Sequence, residues 1–237
     1  MKILLRSFSI FIREITEDYM LIGVLVAPPL IGLAFRFGVP FAEELLTAHF
    51  SREAVISPYY LLFDLFLCLV TPYFFLFASV LVMLSEYDEN MVNYLAVTPL
   101  GRGGYIISRL VLPAALSFPV SVLLVKVFAL TEWPPLLLPT ACSLSSVMSV
   151  ATAMLLFSFS NNRVEGLALG KIANVYSLGL LVPFFIDSKV QYFFAPLPSL
   201  WLAKMCKQND YSFFPSALLI SLVWIWLMYR KFQQKLN

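Results

Sequence analysis

Residues 60–84 of this chain read YLLFDLFLCLVTPYFFLFASVLVML, and the only charge among them is Asp64. About 20 consecutive apolar residues in a helix are enough to cross the hydrocarbon core of a bilayer. We therefore predict a transmembrane helix here. Similar apolar stretches predict five further spans, at residues 20–37, 105–130, 136–159, 164–186 and 213–229.

The composition agrees with a membrane protein. Of 237 residues, 60% are hydrophobic and 13% are charged, whereas soluble domains average about 45–50% apolar and 25% charged residues. A net charge of +2 does not favour a nucleic-acid partner. We predict an all-α membrane protein with one transmembrane domain over residues 1–237, embedded in the lipid bilayer.

The first 19 residues are amphipathic rather than apolar throughout. Their apolar positions follow helical spacing and comprise Leu4, Phe8, Phe11, Ile12, Ile15 and Tyr19. Charged residues occupy the other face, and no uncharged core or cleavage site of a signal peptide is visible. The pattern predicts an interfacial helix over residues 1–19 that lies along the membrane surface.

Basic residues set the expected orientation, because they are enriched in cytoplasmic loops. A cytoplasmic N-terminus places nine of them on that side: Lys2, Arg6, Arg13, Arg102, Arg109, Arg163, Arg230, Lys231 and Lys235. With six spans, both termini then lie in the cytoplasm, and we predict a multi-pass protein of the inner (cytoplasmic) membrane.

The outer segment at residues 187–212 contains an apolar stretch, residues 192–203, that is interrupted by Pro196 and Pro198. This stretch is too apolar for a solvated loop and too short to span. It predicts a re-entrant segment that dips back into the membrane. An aromatic anchor at the membrane boundary explains the same residues equally well.

Between the second and third predicted spans, residues 85–102 read SEYDENMVNYLAVTPLGR. Asp88 suits a helix N-cap, and Glu89 follows in the first turn, where the helix dipole favours acids. The apolar face comprises Met91, Tyr94 and Leu95. A two-turn helix is marginal alone, so we expect a partner surface to stabilise it.

This segment resembles the ABC-2 type family of ATP-binding-cassette transporter permeases. The matching residues are Glu86, Tyr94, Leu95, Thr98, Pro99, Arg102, Tyr105 and Arg109. The family often has Gly-Thr where this chain has Asn90-Met91, and Lys where it has Arg109. The resemblance extends to the amphipathic N-terminal helix, the six spans and residues 196–201, and it suggests the branch associated with fluoroquinolone-type drug export.

The resemblance implies a cytoplasmic coupling helix at residues 88–97, within a coupling segment over residues 85–103, that docks into a separate ATPase subunit. The implied coupling residues are Glu86, Asp88, Glu89, Met91, Tyr94, Leu95, Thr98, Pro99 and Arg102. ATP and Mg would be bound by the ATPase and no cofactor by this chain. A second six-span permease, identical or related, would complete the transporter. The alternative is an ordinary amphipathic loop helix on the lipid headgroups.

Within the fifth predicted span, Gly166 and Gly170 form a Gly-x-x-x-Gly pattern, which permits close backbone contact between membrane helices. Ala173 and Ser177 extend the same small face. The pattern predicts either an interface with a second permease subunit or tight packing within one subunit. The residues 166–171 lack the spacing of a phosphate-binding loop.

Ionisable groups inside spans are candidates for function. Asp64 and Lys126 lie near the outer ends of consecutive antiparallel spans, which predicts a structural ion pair between them. Lys171 and Asn174 lie deeper and are candidates for a transport path that contacts an anionic or polar substrate. Alternatively, Lys171 extends its stem to the membrane interface.

The resemblance therefore predicts a permease subunit, not an enzyme, that exports a small hydrophobic or amphiphilic compound such as a drug, antibiotic or peptide. The alternative is an ion-coupled secondary transporter that acts without an ATPase. An intramembrane enzyme ranks last, because no catalytic motif occurs. The three cysteines and one histidine have no metal-ligand spacing.

Overall fold

A computed structural model of the chain describes residues 2–51, 53–89, 91 and 101–236. Every regular element within those residues is helical, and six helices are long and apolar enough to cross a membrane. The prediction of an all-α membrane protein with six spans is confirmed. In chain order, spans 1 to 6 are Tyr19–Phe50, Ser57–Asp88, Gly101–Phe128, Leu137–Phe159, Arg163–Phe185 and Tyr211–Lys235.

Three of the spans contain a π- or 3₁₀-helical segment between two α-helices. Span 1 contains a π-helical turn at Ala34–Gly38 between α-helices at Tyr19–Leu33 and Val39–Phe50. Span 3 contains another, at Ile107–Val111 between Gly101–Ile106 and Leu112–Phe128. Span 5 is interrupted by 3₁₀-helix at Asn174–Ser177, between α-helices at Arg163–Ala173 and Leu178–Phe185.

Spans 2, 4 and 6 have uninterrupted α-helices. These are Tyr60–Asp88, Leu137–Phe159 and Phe214–Lys235, and short 3₁₀ turns at Ser57–Tyr59 and Tyr211–Phe213 open spans 2 and 6. Span 2 thus runs past its predicted end at Leu84 to Asp88. Asp88 is consequently the last residue of the span 2 helix and not the N-cap of a following helix.

Span 1 is longer than predicted. The predicted end was Phe37, but the helix continues to Phe50 and ends at Ser51 with a left-handed φ of 51°. The π-helical turn places Pro40 in the first turn of the next α-helical segment, where proline is tolerated. Residues 38–50, which lie between the first two predicted spans, are therefore helical.

Spans 2 and 4 form the centre of the bundle. In their most apolar stretches, 78% and 72% of the residues are buried, against 17% in span 1 and 11% in span 6. Span 2 packs against spans 1, 3, 4 and 5, and span 4 also packs against span 6. The peripheral spans leave apolar surface outside, as a bilayer or a second membrane subunit requires.

The amphipathic N-terminal helix is present at Lys2–Glu17. Phe11 and Ile15 are buried against spans 2 and 3, while Arg13 and Glu17 form an exposed ion pair on the other side. Asp18 follows as the N-cap of span 1 and also pairs with Arg163 at the start of span 5 (2.5 Å). The helix is thereby fixed to one end of the bundle.

The segment between spans 5 and 6 folds back into the protein. A 3₁₀ turn at Lys189–Phe194 leads to an α-helix at Pro198–Gln208, which packs against the second half of span 5 and against spans 4 and 6. Leu200 and Leu202 of this helix are fully buried. Tyr192 and Phe193 before this helix are exposed, so the re-entrant segment and the aromatic anchor both stay predictions.

The two ends of the bundle are named after two buried carboxylates of span 2, Glu86 and Asp64. The Glu86 end holds the N-terminal helix, the connection between spans 2 and 3, and the last turn of span 6, where Lys235 donates to the Phe157 carbonyl (2.8 Å). The Asp64 end holds the connections between spans 1 and 2, 3 and 4, and 5 and 6.

Candidate functional site

Glu86 and Arg109 form a buried ion pair at the Glu86 end, with 3% and 2% of their surfaces exposed. The Arg109 Nε lies 3.2 Å from both oxygens of the Glu86 carboxylate, and Nη2 donates to Oε1. The Tyr105 hydroxyl donates to Oε2 (2.8 Å). The carboxylate thus accepts charged and neutral donors together, which is the arrangement a buried charge requires.

The local backbone explains how span 3 supplies two of these groups. Tyr105 and Arg109 are four residues apart, so they project from one face of the helix. Arg109 lies inside the π-helical turn Ile107–Val111, a feature that re-aims side chains and is frequent at functional sites. Ser79 of span 2 donates its hydroxyl to the Arg109 carbonyl, which fixes this turn against span 2.

The N-terminal helix joins the same cluster. Arg109 Nη1 donates to the Ser7 carbonyl oxygen (2.9 Å), and the Ser7 hydroxyl donates to that of Ser108 (3.3 Å). The Arg109 guanidinium also lies 5.0 Å from the centre of the Phe11 ring, within the range of a cation–π contact. We call Glu86, Tyr105, Arg109, Ser7 and Phe11 the Glu86 clamp. It binds three separate helices together.

Glu14, one turn beyond Phe11, lies close to the clamp. Burial, and then the negative charge of Glu86, raise the pKa of the Glu14 carboxyl above its ordinary value. Its Oε2 atom is enclosed and has no hydrogen-bond partner in the described part of the chain. The ion pair with Arg109 therefore does not fully neutralise the effect of the Glu86 charge on Glu14.

The clamp lies beside the two helix ends that flank the predicted coupling segment. Span 2 ends at Asp88, and span 3 begins at Gly101 with a left-handed φ of 63°. Asp88, Glu89 and Met91 are exposed, as is Arg102 at the start of span 3. The remaining predicted coupling residues, Tyr94, Leu95, Thr98 and Pro99, lie outside the described residues, as does Asn90.

Glu86 differs from the other predicted coupling residues. Its carboxylate is paired with Arg109 and Tyr105, whereas Asp88, Glu89 and Met91 are exposed, and a direct contact of Glu86 with an ATPase stays a prediction. The two ends of the segment are joined to each other through the pair of Glu86 and Arg109. Glu86 also lines a cavity of about 330 Å³ together with Glu14, Glu17, Asp18, Glu89, Met91 and Arg163.

The predicted ion pair between Asp64 and Lys126 is wrong. Asp64 accepts hydrogen bonds from the Leu130 and Thr131 backbone N–H groups (2.8 and 3.0 Å), the Thr131 hydroxyl (2.6 Å) and Trp133 Nε1 (3.1 Å). Lys126 is exposed, whereas its neighbour Val125 is buried. The span 3 helix thus directs Lys126 away from Asp64, and the turn after that helix supplies the donors.

Gly166 and Gly170 are buried against span 2 of the same chain. A Cβ atom on Gly166 would lie 2.5 Å from Leu84 Cδ1, and one on Gly170 would lie 2.5 Å from Phe77 Cε2. Ala173 and Ser177 on the same side are half-buried. The small face is therefore occupied within the subunit, as the second of the two interpretations held, and these glycines are not free to meet another permease.

The two transport-path candidates lie on a different face of span 5. Lys171 is exposed, together with Val164, Ala168 and Val175 along the same side of the helix. The Asn174 side chain lies outside the described residues. No ion pair involves Lys171 in the described part of the chain, so the structure leaves both interpretations of this lysine open.

Sequence reasoning missed two cavities near the middle of span 5. The larger, of about 210 Å³, is lined mainly by apolar residues and includes Thr152, Tyr176 and Trp224. The smaller, of about 20 Å³, lies beside it and shares Thr152, Ala173 and Tyr176 with it. The only signal in the sequence was a weak one, since residues 171–177 are more polar than the rest of the span.

Comparisons with known proteins identify the family. The family model described as fluoroquinolones export permease protein Rv2686c-like matches residues 11–229. Two relatives from Mycobacterium tuberculosis are each 23% identical over 237 residues, covering 94% of this chain and 91% of the relative. They are the fluoroquinolones export permease proteins MT2760 (strain CDC 1551 / Oshkosh) and Rv2686c (strain ATCC 25618 / H37Rv). The chain therefore belongs to the Rv2686c-like family of fluoroquinolones export permease proteins.

Proposed function

We propose that this chain is the membrane-spanning subunit of an ABC exporter for small hydrophobic or amphiphilic compounds, and that fluoroquinolones are among them. A separate ATPase subunit would bind ATP and Mg, and a second six-span permease, identical or related, would complete the transporter. The family membership supports the export of drugs, and the resemblance at residues 86–109 supports the ATPase.

The observation that carries the proposal is the Glu86 clamp. The helix of span 2 ends at Asp88, two residues after Glu86, and span 3 begins at Gly101, four residues before Tyr105. Because Glu86 and Arg109 are joined by a buried ion pair, a force on the segment between them would move spans 2 and 3 as one body. The Ser7 and Phe11 contacts would carry the N-terminal helix with them.

In this mechanism the Glu86 end faces the cytoplasm, where the ATPase is. The basic residues at this end support that orientation, among them Arg13, Arg163, Arg230, Lys231 and Lys235. Both termini then lie in the cytoplasm and the protein in the inner membrane. ATP binding would draw the two ATPases together, and the coupling segments would tilt spans 2 and 3 between inward and outward states.

The second permease would cover the exposed face of span 5. Lys171 lies about 12 Å from the start of this span at 1.5 Å per residue, and a charge at that depth is costly against lipid. A water-filled path between two permeases would solvate it and let it contact an anionic or polar group of the cargo. If Lys171 instead extends to the interface, its replacement by methionine leaves transport unchanged.

The alternative, an ion-coupled secondary transporter, needs a carboxylate that can release and rebind a proton within the membrane. Asp64 accepts four hydrogen bonds from neutral donors, and Glu86 is paired with Arg109. Both carboxylates therefore already have hydrogen-bond partners within the subunit. This arrangement favours the ABC exporter.

The test is co-purification of the permease with the ATPase subunit of a neighbouring reading frame. The double variant Glu89→Lys, Met91→Asp changes exposed residues of the coupling segment and should abolish the complex and its vanadate-sensitive ATPase activity. Glu53→Lys makes the same charge reversal at an exposed position of the Asp64 end and should have no effect. An intact, fully active complex with the double variant would refute the coupling assignment.

A further inference from the structure

We propose that the larger cavity beside span 5 binds the aromatic ring system of the exported compound. The named contacts would be Thr152, Ala173, Tyr176 and Trp224, which line it. This inference rests on the proposed export function and adds the place in the chain where the cargo is held.

The cavity lies at the depth where transporters hold their cargo. Thr152, Tyr176 and Trp224 each lie within four residues of the middle of their spans, Leu137–Phe159, Arg163–Phe185 and Tyr211–Lys235. Four residues of helix correspond to about 6 Å. Since the spans cross the bilayer, the cavity is near its midplane, where transporter binding sites are typically found.

The break in span 5 occurs at the same place. Tyr176 belongs to the 3₁₀ segment Asn174–Ser177, which interrupts the α-helix in mid-span. Transport sites are commonly formed beside such discontinuous helices, and 3₁₀ segments within a helix often mark hinges. A movement of the two halves of span 5 relative to each other would change the shape of this cavity.

The volume limits what can enter. The cavity measures about 210 Å³, which is larger than the 150 Å³ of an apolar cavity known to hold benzene. It is smaller than the roughly 300–1,000 Å³ of a site for a whole drug-sized molecule. It therefore fits one substituted or fused ring system, and the rest of the compound would extend through the open side.

The walls favour a ring that carries a polar group over a plain lipid chain. Trp224 Nε1 donates to the Pro196 carbonyl (2.9 Å), and the Thr152 hydroxyl donates to the Met148 carbonyl (3.1 Å). These two hydrogen bonds fix the Trp224 and Thr152 side chains in the cavity wall. They also occupy the donor group of each side chain. Tyr176 is different, because its hydroxyl oxygen is enclosed and has no hydrogen-bond partner in the described part of the chain.

The neighbouring Ser221 hydroxyl interacts with Tyr176 but does not form a hydrogen bond of ordinary geometry with it. The Ser221 hydroxyl, which lies near Tyr176, donates to the Ala217 carbonyl of its own helix (2.7 Å). Buried hydroxyl groups are nearly always hydrogen-bonded. A carbonyl or carboxylate on the bound ring could accept from Tyr176 after a small rotation of its side chain, whereas an acyl chain has no acceptor at this depth.

The experiment measures binding of norfloxacin, a fluorescent fluoroquinolone, to the full-length permease in lipid nanodiscs. Ala173→Phe places a ring inside the cavity, and Ala168→Phe is its control on the exposed side of the same helix. Trp224→Leu removes a wall, and Trp226→Leu is its control, since Trp226 is 66% exposed. We expect each cavity variant to raise the dissociation constant about tenfold or more, and each control to stay within about twofold of wild type.

Equal effects in a variant and its control overturn the proposal, as does wild-type protein that binds no norfloxacin. If Trp224→Leu does not fold, Ala173→Phe with its control decides the question. A second measurement separates this inference from the export function: ATP-dependent norfloxacin uptake into inverted vesicles that contain permease and ATPase. If wild-type vesicles take up norfloxacin and Ala173→Phe leaves the KM of this uptake unchanged, the cavity is refuted and the export function stands. If the wild type binds norfloxacin, the cavity variants alone weaken that binding and no uptake occurs, the cavity is supported and the export function is refuted.

Discussion

The two ends of span 2 each stabilise a buried carboxylate, but with different partners. Asp64 and Glu86 are both buried carboxylates, 22 residues apart on one helix, or about 33 Å at 1.5 Å per residue. Asp64 is held by neutral donors from a single turn, Leu130 to Trp133. Glu86 is held by a charged partner that is itself bound to a third helix.

The difference indicates different roles for the two ends. Asp64 fixes the connection between spans 3 and 4 through hydrogen bonds from neutral donors, without a charged partner. The Glu86 clamp instead joins the N-terminal helix, span 2 and span 3 around the segment that we propose meets the ATPase. An arrangement of this kind keeps three helices together while they move, whereas the Asp64 turn needs only to stay in place.

The largest expected effect is at the Glu86 clamp. Arg109→Met leaves the buried Glu86 carboxylate without its partner, and breaking such a pair typically costs about 3–5 kcal/mol. The apparent unfolding temperature in detergent micelles should fall strongly, whereas Arg230→Met, an exposed arginine at the same end, should change it little. If both variants lowered the unfolding temperature by the same small amount, the stabilising role of the Glu86 clamp would be contradicted.

A double variant sharpens this result. Glu86→Gln combined with Arg109→Met removes both charges, so no uncompensated charge stays buried. We expect the double variant to unfold at a higher temperature than Arg109→Met alone. If the stability loss of the double variant equals the sum of the losses of Glu86→Gln and Arg109→Met, the two residues are not energetically coupled.

At the Asp64 end the expected effect is smaller. Asp64→Asn keeps one acceptor oxygen, which can retain the three donors on Oδ2, so the loss is that of one hydrogen bond to a charged group, about 1.5–3 kcal/mol. Lys126→Met should be almost neutral, because Lys126 is exposed and does not pair with Asp64. Thermal unfolding of both variants checks this prediction. If Asp64 and Lys126 formed an ion pair, the two variants would lower the unfolding temperature by similar amounts.

Packing close to Glu86 gives a third comparison. Gly166→Ala places a methyl group 2.5 Å from Leu84 Cδ1, and such overpacking typically costs about 1–3 kcal/mol. Gly23→Ala in span 1 meets no atom within 4 Å, so it should be neutral or slightly stabilising. Thermal unfolding checks both. A neutral Gly166→Ala variant would show that span 5 does not press on span 2.

The smallest effect concerns pH. Burial and the charge of Glu86 raise the pKa of Glu14 in the folded protein, so the folded state keeps the Glu14 proton to a higher pH than the unfolded chain. Stability then falls as pH rises from the ordinary Glu pKa through the raised one. Glu14→Gln should be slightly more stable than wild type at neutral pH and equal to it below pH 4, with the exposed Glu44→Gln as control. A constant difference at all pH values would contradict this cause.

Much of the fold was predictable from the sequence, because apolar length decides where helices cross a bilayer. The six spans and the amphipathic N-terminal helix follow from that pattern alone. The extent of span 1 did not, since Gly38 and Pro40 look like a helix end unless a π-helical turn is known to precede Pro40.

The site was predictable only in part. Glu86, Tyr105 and Arg109 were recognised as matching family residues, but their mutual contact depends on a π-helical turn that no sequence pattern announces. The Ser7 carbonyl in the clamp is a backbone group, so residue type could not identify it. Asp64 was paired with the wrong partner because depth along a helix was considered without the direction of the Lys126 side chain.

The central claim is that the Glu86 clamp transmits the movement of the coupling segment to the spans. The most direct test measures norfloxacin transported per ATP hydrolysed, in proteoliposomes that contain the ATPase and either wild-type permease or the Glu86→Gln, Arg109→Met double variant. We predict that the double variant still binds the ATPase and hydrolyses ATP but transports much less norfloxacin per ATP. A transport ratio equal to that of wild type would contradict the claim.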